Sequence, residues 1–126
     1  MSDEFRNTIA KVDGQVQSYR DLLVWQKGIA LAKVIYKLTS EFSLEEKFGM
    51  ICQMRRAVVS VPSNIAEGQA RNTTGEFVLF ISHAEGSLVE LDTQLILTIE
   101  QLRRMLNGLR RVVSSQRKSA AQNNHL

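Results

Sequence analysis

The chain has 126 residues, 44% apolar and 23% charged, which is enough for a single core and too little for two. Only 6% are aromatic, with seven glycines and one proline, and so little punctuation argues against a many-turned β-sandwich or barrel. A single cysteine, Cys52, excludes an internal disulfide framework and any multi-cysteine zinc site.

The net charge of +3 hides an asymmetry. Residues 1–100 hold ten Lys/Arg against thirteen Asp/Glu, whereas residues 101–126 hold six Lys/Arg and no acid. The basic character therefore belongs to the last segment. Residues 1–10 carry Asp3, Glu4 and Arg6 and no apolar run, so no secretory signal is expected. No stretch approaches eighteen uncharged apolar residues, so none is expected to span a membrane. A reduced, cytoplasmic setting fits these features.

Residues 1–18 read as a flexible N-terminal arm, 19–118 as a helical bundle domain and 119–126 as a disordered tail. Asp21 is placed to cap a first helix reaching Leu38 or Ser40. Leu22, Leu23, Trp25, Ile29, Leu31, Val34, Ile35, Tyr36 and Leu38 cover far more than one stripe of it, so it needs cover on more than one side. Ser43 and Glu46 match a capping box for a second helix, which ends near Glu67 with Gly68 as a left-handed stop. Pro62 is expected to kink that helix without ending it, because apolar spacing resumes at Ile65. Thr73 or Thr74 caps the third helix, with Glu76 in its first turn. From Phe77 through Ile81, Ala84, Leu88, Leu91, Leu95, Thr98, Leu102, Met105 and Leu109 to Val112 the steps alternate between four and three, a heptad seam. A continuous helix from 74 to about 115 would be roughly 60 Å long. Asn107-Gly108 marks a break point, although the seam stays in phase across it. The fold class is all-α: an antiparallel four-helix bundle of long helices, oligomeric, with the third and fourth helices either fused or separated by a turn.

Catalytic patterns are sparse. A di-iron bundle would want Glu-x-x-His pairs, but position 80 is Phe and position 122 is Gln, so neither His83 nor His125 has one. His83 reads as a polar surface or interface residue. No metal, cofactor or glycine-rich phosphate loop is indicated. Cys52, next to Ile51, reads as a packed small hydrophobe. A polar constellation does stand out: Arg55, Arg56, Ser60, Ser63, Asn64 and Glu67 on the second helix, with Glu85, Ser87 and Glu90 on the third. Arg55 interrupts the apolar row between Ile51 and Val58, so it needs a partner, with Glu85 or Glu90 as candidates. A buried ion-pair network that sets helix register is the structural reading, and a carboxylate active site the catalytic one. Gly86-Ser87 in mid-helix suggests close helix approach.

The basic segment has a sharper pattern. Arg103, Arg110 and Arg117 are spaced by seven, and so are Arg104, Arg111 and Lys118. Seven residues return to nearly the same helical azimuth, so the six cations form one stripe. Phosphate binding along RNA or DNA is its functional reading, and a solvated face the alternative. No aromatic residue is interleaved, so contacts should be to the backbone and weakly sequence-specific.

Residues 19–25 (YRDLLVW), 53–68 (QMRRAVVSVPSNIAEG), 85–95 (EGSLVELDTQL) and 104–109 (RMLNGL) resemble the bacterial four-helix-bundle proteins known as 23S rRNA intervening-sequence proteins. The likeness covers about residues 19–112. It implies a homopentameric ring of antiparallel bundles. It also implies kinship with accessory proteins of diversity-generating retroelements, which bind nucleic acid and a reverse transcriptase through a basic surface. The partners implied are further copies of the chain, RNA or DNA, and a reverse transcriptase or ribosomal component. No membrane partner and no catalysis are implied. The family's recurring polar residues map onto Arg56, Ser60, Asn64, Glu67, Ser87 and Glu90. In one departure, the loop usual in the family between the regions of Ile99 and Gln101 is missing here. Either the third and fourth helices are fused, and the long helix needs a neighbour, as by swapping its C-terminal half between subunits, or the chain turns tightly near 100–101. The sequence thus points to a non-enzymatic oligomer that binds nucleic acid, RNA before DNA, with a protein–protein adaptor as the alternative.

Overall fold

The computed structural model describes residues 18–43 and 49–123. They form a 3-10 turn, Tyr19–Asp21, and three α-helices: α1 (Leu23–Ser40), α2 (Met50–Gln69) and α3 (Thr74–Asn123). The architecture is all-α, with no strand among the described residues. Among the described residues there are three α-helices, which is the fused alternative for the third and fourth helices. α3 passes through residues 99–101 without a turn, so the segment read as a fourth helix is continuous with the third. Residues 96–106 explain this: they contain no Gly or Pro and are rich in Leu, Glu, Gln, Arg and Met, all good helix formers. The helix also carries Asn107 and Gly108 and reaches Asn123, past the expected end near 115 and into the segment read as a tail. Most of the expected N-terminal arm, residues 1–17, lies outside the described residues.

The helix ends differ from the sequence reading in two places. Asp21 does not cap α1. It closes a capping box on the 3-10 turn, where the Ser18 N–H donates to Asp21 Oδ2 at 3.3 Å and the Arg20 N–H donates to Ser18 Oγ at 3.3 Å. The N-cap of α1 is Leu22, extended and without a side-chain cap. The Tyr19 and Trp25 rings meet edge to face at 5.2 Å and hold the turn against the first helical turn. The expected capping box of Ser43 with Glu46 falls outside the described residues. α3 begins as expected, with Thr73 Oγ1 accepting from the Glu76 N–H at 3.2 Å.

Gly68 is the second difference. It lies inside α2, and the C-cap Ala70 is right-handed, so no left-handed stop forms. The glycine serves close approach instead. A Cβ at Gly68 would sit 2.6 Å from Phe80 Cβ and 3.1 Å from Phe77 Cδ1. Phe80 Cβ cannot swing away, so α2 and α3 would have to part. Gly68→Ala gains about 1 kcal/mol of helix propensity but overpacks a tight contact, so a net loss of about 1–2 kcal/mol is expected in a urea titration. Gly86 is the control. Nothing lies within 4 Å of a Cβ there, contrary to the close approach expected of it, and Gly86→Ala should raise stability.

The described residues up to Gln94 form one compact unit. Its core is built from Leu22, Ile35 on α1, Met54, Val58 and Ile65 on α2, and Leu91 on α3, with Trp25 and Phe77 packed against its edge. α2 runs through Pro62 as a single helix; Pro62 is buried and faces Gly28 of α1, where a Cβ would meet its ring at 3.4 Å. The apolar excess of α1 is only partly absorbed: Ile35 is buried, while Val24, Val34, Tyr36 and Leu38 stay exposed. On α3 the seam residues Ala84 and Leu91 are buried and Ile81 and Leu88 exposed.

The second unit starts at Leu95. Its described residues are helical, and none is buried. Leu102, Met105, Leu109 and Val112 continue the seam in solvent, and Leu106 and Val113 widen it on one side. Among the described residues no helix is long and apolar enough to cross a membrane.

Candidate nucleic-acid interface

All six cations of the C-terminal row lie on α3 and all are exposed. The helix brings Arg103, Arg110 and Arg117 onto one line. It brings Arg104, Arg111 and Lys118 onto a second, roughly 100° away. Successive cations on a line are about 10 Å apart, close to the Debye length at 0.1 M salt, so their fields overlap at low salt and separate at high salt. Leu102, Met105, Leu109 and Val112 occupy the other side of the same turns, so this stretch is basic on one face and apolar on the other. One cation has an acid beside it: Arg103 Nη1 lies 2.9 Å from Glu100 Oε1. Both side chains are about half exposed or more, and such a pair contributes at most about 1 kcal/mol. It leaves Arg103 available to a phosphate.

The polar constellation does not form the ion-pair network expected of it. Arg55 turns to α1 rather than to Glu85 or Glu90. Its Nε donates to Thr39 Oγ1 at 2.8 Å, an Nη2 donates to the Tyr36 carbonyl at 3.3 Å, and the guanidinium lies 4.6 Å from the Tyr36 ring centre. Thr39, fully buried, donates in turn to the Ile35 carbonyl at 2.7 Å. A half-buried Arg at an apolar seam position is thus satisfied by neutral acceptors and an aromatic face. Tyr36 reads from the sequence only as an apolar position of the first helix, and neither it nor Thr39 reads as a partner of Arg55. Thr39 offered a faint signal, a hydroxyl one turn after Ile35 on an apolar helix.

Ser60, Asn64 and Ser87 do come together. Ser60 Oγ and Ser87 Oγ are 2.8 Å apart, joining α2 to α3. Asn64 Nδ2 donates to Ser60 Oγ at 2.8 Å and to the Ser60 carbonyl at 2.7 Å. The side-chain join seen here between α2 and α3 is thus an uncharged one, where an ion pair was expected. Glu67 is elsewhere, paired with Arg71 at 2.8 Å, and Arg71 lies over the Phe80 ring at 4.8 Å. Glu90 accepts from Gln94 Nε2 at 3.2 Å. Arg56 and Glu85 are exposed. Cys52 is exposed rather than packed, in a shallow hollow with Tyr36, Arg55 and Val59. His83 is exposed and meets Phe80 edge to face at 5.9 Å. Among the described residues no group of three or more His, Cys, Asp or Glu side chains is placed to hold a metal ion.

The all-helical architecture is consistent with the sequence likeness, and direct comparison decides it. The family model for 23S rRNA-intervening sequence proteins matches residues 20–108. The chain belongs to this family. No curated protein matches it. Within the 23S rRNA-intervening sequence match lie α1, α2 and α3 as far as Gly108, with Ser60, Asn64 and Ser87 inside it. Of the basic row, Arg103 and Arg104 fall within the family match, while Arg110, Arg111, Arg117 and Lys118 lie beyond it.

Proposed function

We propose that this chain is a non-enzymatic, self-associating cytoplasmic protein that binds nucleic acid, RNA before DNA, through Arg103, Arg104, Arg110, Arg111, Arg117 and Lys118. One observation carries the reading: six exposed cations share one face of a helix that holds no acid from residue 101 onward. A solvated face of ordinary composition mixes both signs; this one is uniform and suited to a polyanion. The absence of aromatic residues from 95 to 123 makes the contact phosphate-directed and tolerant of sequence. The 23S rRNA in the family's name favours RNA. Glu67 and Glu90 are engaged with Arg71 and Gln94, and with Glu85 they lie exposed, which supports a binding role over carboxylate catalysis. A ribosomal component or a reverse transcriptase as a further partner rests on the resemblance alone.

The test is a fluorescence-anisotropy titration of a structured RNA and a matched DNA duplex across a salt series. Six neutralised phosphates predict a slope of log affinity on log salt of about −5 on the duplex, and about −4 where the RNA is single-stranded. No binding at 50 mM salt overturns the reading, and equal affinity for the two probes removes the preference for RNA. The adaptor reading is favoured by one observation, the exposure of Val34, Tyr36 and Leu38 on α1. Recovery of a specific protein partner that persists at high salt, with no nucleic-acid binding, would establish it instead.

A further inference from the structure

The compact unit ending at Gln94 has an apolar groove of about 300 Å³. It is lined along α3 by Phe77, Ile81, Ala84 and Leu88, and by Leu22 and Val24 where the chain enters α1, with Glu85 also on its wall. Val24, Ile81 and Leu88 are each more than two-fifths exposed, so apolar surface suited to a core is open to solvent. The lining row on α3 steps by four, three and four residues. The chain ahead of Ser18 carries a row with the same steps: Phe5, Ile9, Val12 and Val16. On a helix either row spans about 17 Å. The chain also enters the compact unit at this groove. The turn Tyr19–Asp21 leads into Leu22, which clusters with Ala84 and has Phe77 packed beside it.

We infer that residues 5–16 fold back over this groove within the same chain, as a helical segment antiparallel to α3. The entry point sets the direction. Val16, next to the turn, takes the Phe77 end, and the residues before it reach toward Leu88. The steps set the register, because four, three and four reads the same from either end. Val16 is then level with Phe77, Val12 with Ile81, the larger Ile9 with the small Ala84, and Phe5 with Leu88. Glu85, the charged residue on the groove wall, falls level with Thr8, between Arg6 and Lys11, the cations of the segment. Residues 17–22 make the connection to α1, within the ordinary helix-to-helix length of roughly 2–8 residues. A segment this short, with Gly14 inside it, gains helix only by packing, which ties its folding to the groove. All six cations of the basic row stay free for phosphate.

This goes beyond the proposed function and depends on neither nucleic-acid binding nor self-association. The test uses the full chain in a Cys52→Ser background. Val12→Cys is combined with Ile81→Cys in one variant and with Val59→Cys in a control. Ile81 and Val59 are both exposed, so both variants should fold, and Val59 lies on α2 in the hollow beside Arg55, away from the groove. After mild oxidation, disulfides within one chain are read as the loss of free thiols from the monomer band of a non-reducing gel. They are expected to be at least about tenfold more abundant with Ile81→Cys than with Val59→Cys, because docking raises the local thiol concentration at residue 81 alone. Adding Ile9→Asp should lower that yield about tenfold, since a carboxylate is costly in an apolar groove. Equal yields in the two variants would overturn the inference, as would an Ile81→Cys yield untouched by Ile9→Asp. Disulfides formed mainly between chains would overturn it too, and would mean that a second copy covers the groove.

Discussion

Changing all six residues of the basic row to Gln is expected to weaken RNA binding at 50 mM salt by about 10³-fold or more and to flatten the salt slope toward zero. Gln keeps length and helix propensity close to those of Arg and Lys, so helicity by circular dichroism should hold. The change also leaves Glu100 without Arg103, which adds local repulsion toward phosphate. A control removes Lys27, Lys33 and Lys37 from α1, where Asp21 and Glu41 stand at either end. That variant should bind within about threefold of the parent. Unchanged affinity in the six-residue variant would show that the row is not the interface. Equal losses in both variants would point to net charge instead of a site.

The largest loss of stability is expected at Leu22. It is 1% exposed, precedes α1 as an extended cap, and packs with Val61, Ile65 and Ala84, so it links the chain entry to α2 and α3. Leu22→Ala removes a fully buried side chain beside a groove that cannot collapse onto the space without moving α3. A loss of about 2–5 kcal/mol is expected. For a domain of this size that lowers Tm by about 10 °C or more. Val24→Ala, two residues on but largely exposed, should cost less than about 1 kcal/mol. Thermal melts of the pair separate a core position from a surface one, and similar losses would mean that Leu22 is not the anchor its burial implies.

These two sites also show where sequence reasoning reached and where it stopped. The row at 103–118 was legible because it depends on one helix only: seven residues make nearly two turns, whatever lies nearby. The start of α3 at Thr73 and its passage through residues 99–101 are local in the same sense, set by a hydroxyl cap and a run of good helix formers. Family membership was legible from four short runs. Leu22 was not, because a leucine after Asp21 reads as the first apolar position of a helix; its burial depends on the 3-10 turn that Ser18 and Asp21 close ahead of it.

Contacts between helices were the harder part. Arg55 was recognised as needing a partner, yet its partner is Thr39 with the Tyr36 carbonyl and ring, across the α1 side of α2, and not a carboxylate on α3. Periodicity assigns a residue to a face of its own helix; it does not say which neighbour that face meets. The two glycines exchanged roles for the same reason. Gly68 looked like a stop and proves to be the point where Phe80 comes within 2.6 Å of a would-be Cβ, while Gly86 looked like a close approach and faces open space. Helical periods, caps and the spacing of charges are short-range properties, so composition and order along the chain were enough to specify them. Which faces meet, at what distance and with what polar partners follows from packing residues far apart in the chain into one volume, and that required the folded molecule.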